Sequence, residues 1–218
     1  MEDKGRFITF EGPEGCGKST QIRRLSARLE ALGRKVVATR EPGGTPLGEC
    51  IRGMLQRDTA GEPPCDRAET LLFCASRAQL VRNVIAPALA RGDWVLSDRF
   101  TDSTVAYQGY GRGLPIDVLS AMNEFATGGL RPDVTLVLDI TAEEGMRRMA
   151  ARCAAYGEYP DRFEREAVDF HRRMRDGFLA IAAADPARCA VIDASGDLDT
   201  VEAAIWGELR RRFGLGEG

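Results

Sequence analysis

Apolar residues along this chain alternate between two regimes. Five short runs, Phe7-Ile8-Thr9-Phe10, Lys35-Val36-Val37-Ala38-Thr39, Trp94-Val95-Leu96-Ser97-Asp98, Val134-Thr135-Leu136-Val137-Leu138-Asp139 and Cys189-Ala190-Val191-Ile192-Asp193, are short and nearly continuous and read as strands. Between them the apolar spacing becomes helical. Ile22, Leu25, Leu29 and Leu32 share one face over residues 21–32, and Leu47, Ile51 and Leu55 share one over residues 47–56. A longer pattern over residues 68–90 carries Leu71, Leu72, Ala75, Leu80, Val84 and Ile85, with Pro87 as a predicted kink. Further helices are expected over residues 116–127, 142–153, 161–184 and 200–213, whereas residues 103–113 read as a loop or helix start.

Strands separated by helices predict an α/β fold with a parallel sheet, and the Val134 run is continuous enough to be buried on both faces. Such sheets bind ligands beyond the carboxyl ends of their strands, where Gly12, Arg40, Asp98 and Asp193 fall. A length of 218 residues with 44% hydrophobic content suits one domain with a sizeable core. The net charge of −3 gives no global basic field, so nucleic acid is not an expected partner and anions must be held by local arginines. The six cysteines form no metal-binding pattern and are expected as free thiols. With no leader-like N-terminus and no apolar run of membrane length, the expected location is cytoplasmic, with no membrane partner.

The densest chemical signal is Gly12-Pro13-Glu14-Gly15-Cys16-Gly17-Lys18-Ser19, followed by Thr20, which fits a phosphate loop between a strand and a helix. Its glycines let backbone N–H groups converge on an anion at a positive helix end. Lys18 is then expected on β- and γ-phosphates, and Ser19 on Mg²⁺. Asp98 ends an apolar strand, the Walker-B position, where a carboxylate completes the Mg²⁺ shell directly or through water, although a strand-end Asp also caps helices. Arg99 beside it suits phosphate as a planar fork.

Arg147, Arg148, Arg152, Arg162 and Arg165 bracket an irregular turn at residues 154–160. They fit either a solvated face paired to neighbouring glutamates or a mobile flap that brings cations to a transferring phosphoryl group. His171 reads as a half-buried structural residue. Asp58-Thr59-Ala60-Gly61 matches a GTPase Asp-x-x-Gly segment but follows a helix, has no Gln after it, and lacks an Asn-Lys-x-Asp partner, so it reads as a polar turn.

The phosphate loop, Thr39-Arg40-Glu41-Pro42-Gly43-Gly44-Thr45, Asp98-Arg99-Phe100, Ala106-Tyr107-Gln108-Gly109, Arg131-Pro132-Asp133 and Asp161-Arg162-Phe163-Glu164 together resemble the bacterial thymidylate kinases over nearly the whole chain. The resemblance implies a single three-layer P-loop kinase domain, a five-stranded parallel sheet flanked by helices, with an arginine-bearing lid at about residues 148–163. It implies transfer of the ATP γ-phosphoryl to dTMP with Mg²⁺, and a homodimer. By position, Glu14 lies near Mg²⁺ and the acceptor phosphate, and Arg99 and Arg52 grip that phosphate. Phe73 stacks on thymine, Arg77 donates to a base carbonyl, and Glu41 and Pro42 pack near the nucleoside. Ser103, Thr104, Tyr107 and Gln108 line the remaining edges. The loop's variable positions hold no arginine, so the resemblance places the catalytic one in the lid, at Arg148, Arg152 or Arg162.

Overall fold

The structure, a computed structural model, describes residues 4–57, 61–157 and 159–216. The segment Asp58-Thr59-Ala60 of the polar turn and Glu158 of the lid turn lie outside them. Strands β1 (Phe7–Glu11), β2 (Val36–Arg40), β3 (Trp94–Asp98), β4 (Val134–Asp139) and β5 (Cys189–Asp193) form one all-parallel sheet in the order β2-β3-β1-β4-β5. The alternation read from the sequence sorts the two faces. Ile8, Phe10, Trp94, Leu96, Leu136 and Leu138 face helices α1 (Lys18–Ala31) and α9 (Leu198–Phe213), packing on Leu25, Leu29, Ile205 and Leu209.

On the opposite face Phe7 and Val95 meet Leu80, Ile85 and Phe100, while Val137 joins a cluster with Phe170, Met174 and Phe178. Helices therefore cover both sides in three layers. Phe10 stands opposite Asp98, Asp98 opposite Arg40, and Glu11 opposite Val137, so the strands end level along one edge. Helix α2 (Pro46–Gln56) starts on Thr45, whose hydroxyl accepts from the Gly48 N–H, a cap worth about 1 kcal/mol.

Three elements differ from the pattern reading. The helix predicted over residues 68–90 is α3 (Asp66–Leu80), a π-helical stretch (Val81–Ile85) and α4 (Ala86–Ala90) in succession. Proline lacks an N–H and clashes with the carbonyl four residues back, and the widened turn comes just before Pro87. Residues 103–113 are helical, as α5 (Thr101–Thr104) running into a second π-helical stretch (Val105–Gly111) and on to α6 (Ile116–Thr127). The helix expected from residue 161 starts only at Val168, as α8 (Val168–Ala184), following α7 (Ala142–Tyr156). Asp161 Oδ1 accepts from the N–H groups of Phe163 and Glu164, each at 2.9 Å, and Glu164 Oε2 accepts from the Asp161 N–H at 3.0 Å, a capping arrangement that closes one separate turn at residues 162–165 ahead of α8.

Candidate active site

The loop after β1 turns at Gly12, Gly15 and Gly17, with φ of 129°, 73° and 94°, angles that L side chains disfavour. Gly15 also meets the first turn of α7: a Cβ there would lie 2.4 Å from the Gly145 carbonyl oxygen, and one on Gly145 would lie 2.5 Å from that of Glu14. Lys18 opens α1 and its Nζ donates to the Gly12 and Pro13 carbonyls at 3.0 and 2.8 Å. Ser19 Oγ donates to Asp98 Oδ2 at 2.7 Å. Cys16 turns its side chain into the core behind the loop.

Above the strand ends lies an open cleft of about 1210 Å³. It brings together Glu14, Gly15, Gly17, Lys18, Ser19, Thr20 and Asp98 from the loop side with Glu41, Pro42, Arg52, Phe73, Arg99, Ser103, Thr104, Tyr107 and Gln108 on the other. Arg148 and Arg152 reach it from α7. Gly12, Pro13 and Cys16 stand behind this lining, as do Arg77 and Arg162.

Arg99 is the only described non-glycine residue with positive φ, at 73°. What holds it there is Glu11, which is fully buried and accepts from the Phe100 N–H at 2.7 Å, the Ser103 N–H at 3.3 Å and Ser103 Oγ at 2.5 Å. Burial, reinforced by the Asp102 carboxylate, pushes the Glu11 carboxyl well above the usual carboxylate range. The turn aims the Arg99 guanidinium at Glu14 Oε1, 2.6 Å away, and the Tyr107 hydroxyl donates to the same oxygen at 2.8 Å. Burial works to raise the Glu14 carboxyl, but Arg99, then Lys18 and the Tyr107 hydroxyl, outweigh it and hold it at about 2.

Arg77 is 1% exposed, and its donors are committed to Glu41, Asn123, the Phe100 carbonyl and Thr104. It thus stands under the base side of the cleft as a hub joining β2, α6 and the Arg99 turn. Arg162 lies over the Phe163 ring and donates to the Leu55 carbonyl and to Glu69. Arg148 is drawn to the opposite end by Glu144 and the Ala194 and Ser195 carbonyls. Arg152 faces the cleft and pairs with Glu164. His171 is 2% exposed, more deeply buried than its sequence position suggests.

Several residues of this site carry no sequence signal of their own. Glu11 reads as part of a strand, and Glu69 as one polar position of an amphipathic helix. The lid turn docks through Gln56, whose side chain donates to Asp161 Oδ2 at 3.0 Å. Only the two π-helical stretches hint at such special positions, since widened turns concentrate at functional sites.

The Ser19 hydroxyl and the Asp98 carboxylate are adjacent hard oxygen donors, a set that fits Mg²⁺. Among the described residues no cluster of three His, Cys, Asp or Glu forms a metal cage.

A phosphate loop at the end of a parallel sheet, a strand-end carboxylate beside its Ser, and an arginine-rich second half of the same cleft define a P-loop phosphotransferase. A family model described as thymidylate kinase matches residues 10–205. The thymidylate kinase of Geobacter sp. (strain M21) is 51% identical over 210 residues, covering 96% of this chain and 93% of that protein. That of Solidesulfovibrio magneticus is 53% identical over 204 residues, covering 92% and 97%, and that of a Bradyrhizobium sp. is 52% identical over 210 residues, covering 96% and 92%. The chain belongs to the thymidylate kinase family.

Proposed function

We propose that this enzyme transfers the γ-phosphoryl group of ATP to the phosphate of dTMP, giving dTDP. The observation that carries the reading is the cleft itself, which the phosphate loop and the Arg99 and Arg52 side chains line together. The loop N–H groups, the α1 N-terminus and Lys18 bind the ATP phosphates. Ser19 and Asp98 would hold Mg²⁺, which when bound neutralises charge on the β- and γ-phosphates. Arg99 and Arg52 hold the acceptor phosphate in line, with Glu14 orienting Arg99 through their 2.6 Å contact. Phe73 supplies a face for the base, and Pro42, Ser103, Thr104 and Tyr107 bound the sugar side. The acceptor is already largely ionised at neutral pH, so positioning and charge neutralisation suffice without a strong general base. A coupled ADP-release assay across dTMP, dUMP, dCMP, dGMP, AMP and shikimate tests this: dTMP should turn over fastest, and a purine preference or no dTMP turnover would overturn it.

The assembly proposed is a homodimer of a cytoplasmic enzyme. Val118 and Phe125 lie seven residues apart on one face of α6, which packs beside α3, where Leu71 is exposed. Phe125 is 91% exposed, an unusual position for an aromatic ring unless a second chain covers it. Light scattering at micromolar concentration should give twice the 23.8 kDa chain mass, and a monomer mass would count against the proposal.

A further inference from the structure

Glu69 on α3 is fully buried, with three side chains converging on its carboxylate. Oε2 takes Arg112 at 3.2 Å and the lid residue Arg162; Oε1 takes Gln108 Nε2 at 2.7 Å and Arg112 Nε at 3.3 Å. Two guanidiniums and an amide leave this carboxylate offering acceptors only, so the end of the Gln108 amide turned toward it must be the N–H end. The other end, the carbonyl Oε1, is then what the amide presents to the cleft that Gln108 lines. Phe73, also on the cleft, stands one turn after Glu69 on the same helix, so this acceptor lies beside the aromatic face.

We propose that Glu69 is a positioning residue for base selection: by fixing the polarity of the Gln108 amide, it makes the enzyme require a pyrimidine that bears a ring N–H between its two carbonyls. Thymine and uracil carry that donor. Cytosine carries an unprotonated ring nitrogen there, which would set acceptor against acceptor, and a site built around a hydrogen bond rejects such an analogue strongly. The inference rests on the dTMP reading above and adds how the base is told apart.

The test is equilibrium binding of dTMP, dUMP and dCMP to the full-length enzyme and to Glu69→Gln, by titration calorimetry. A glutamine at position 69 can accept from or donate to Gln108, so the amide is free to turn over. The expected result is that the dTMP-to-dCMP affinity ratio falls about tenfold or more while the dTMP-to-dUMP ratio, which reports only the 5-methyl group, stays put. A parallel loss for all three nucleotides, with the dTMP-to-dCMP ratio intact, is what a merely structural role gives and would overturn the proposal. Should Glu69→Gln fail to fold, Gln108→Leu carries the same test: it should erase discrimination against dCMP and retain the dUMP ratio, and discrimination at the wild-type level would overturn the proposal. Failure of the dTMP reading itself is seen separately, as absent dTMP turnover by the wild-type enzyme.

Discussion

Replacing Arg99 by alanine is expected to lower kcat/KM for dTMP about 10³-fold, because it removes both a phosphate ligand and the partner that organises Glu14. The Arg99 turn is an enforced one. Its positive φ and its hydrogen bonds from Phe100 and Ser103 to buried Glu11 aim the fork before substrate arrives, so the loss falls on transition-state stabilisation as well as on binding. Stability changes too. The charge-assisted bond to Glu14 is worth about 1.5–3 kcal/mol, and without it only Lys18 and the Tyr107 hydroxyl oppose burial, so the Glu14 carboxyl rises from about 2. A carboxyl depressed in the folded state contributes stability above its unfolded value of 4.5, and that contribution disappears as pH falls toward about 2. In the variant this contribution is lost near neutrality, so the gap in Tm between wild type and variant should be largest above pH 5 and close as the medium is acidified. Arg99→Lys restores charge without the fork and should recover only part of the rate. Steady-state kinetics with dTMP varied, together with melting curves from pH 3 to 8, check both parts; kcat/KM within threefold of wild type would show that Arg99 does not hold the acceptor.

Arg152→Ala should lower kcat about 10³-fold with KM for both substrates changed little, the signature of a cation used only in the transition state. The three lid candidates, of which the sequence reading puts Arg152 first and Arg162 second, are distinguished by their surroundings. Arg148 is tied to the Ala194 and Ser195 carbonyls beyond β5, and Arg162 is committed to Glu69 and the Leu55 carbonyl on the acceptor side. Arg152 lines the cleft paired with Glu164 of the lid turn, further along the helix whose first turn packs on the phosphate loop, whereas Arg148, which also reaches the cleft, is held by backbone carbonyls. Arg162→Ala is therefore expected to raise KM for dTMP more than it lowers kcat. Measuring kcat and KM for all three alanine variants separates the cases, and an Arg152 variant with wild-type kcat would exclude it as the catalytic cation.

The strands and the phosphate loop were legible because each is a contiguous pattern whose meaning does not depend on distant residues. What escaped the sequence was set by contacts across the chain. Glu11 is indistinguishable from any strand residue until β3 delivers the Phe100 N–H to it, and Glu69 acquires its role only when Gln108, Arg112 and Arg162 fold onto it. Arg77, assigned to the base by resemblance, has most of its donors spoken for by Glu41, Asn123, Phe100 and Thr104, partners that no local pattern announces. The overextended helix at residue 161 has a similar origin: apolar periodicity runs through Phe163 and Phe170, while the chain there forms a separate capped turn that docks on Gln56 before α8 begins.

The contact between Gly15 and Gly145 makes α7 a lever with its fulcrum on the phosphate loop. Seven residues at about 1.5 Å each separate Gly145 from Arg152, an arm of roughly 10 Å, so a tilt of about 10° about that contact carries the arginine backbone nearly 2 Å. A displacement of that size at the fulcrum itself would drive α7 into the loop backbone; at the far end it only re-aims a guanidinium now paired with Glu164.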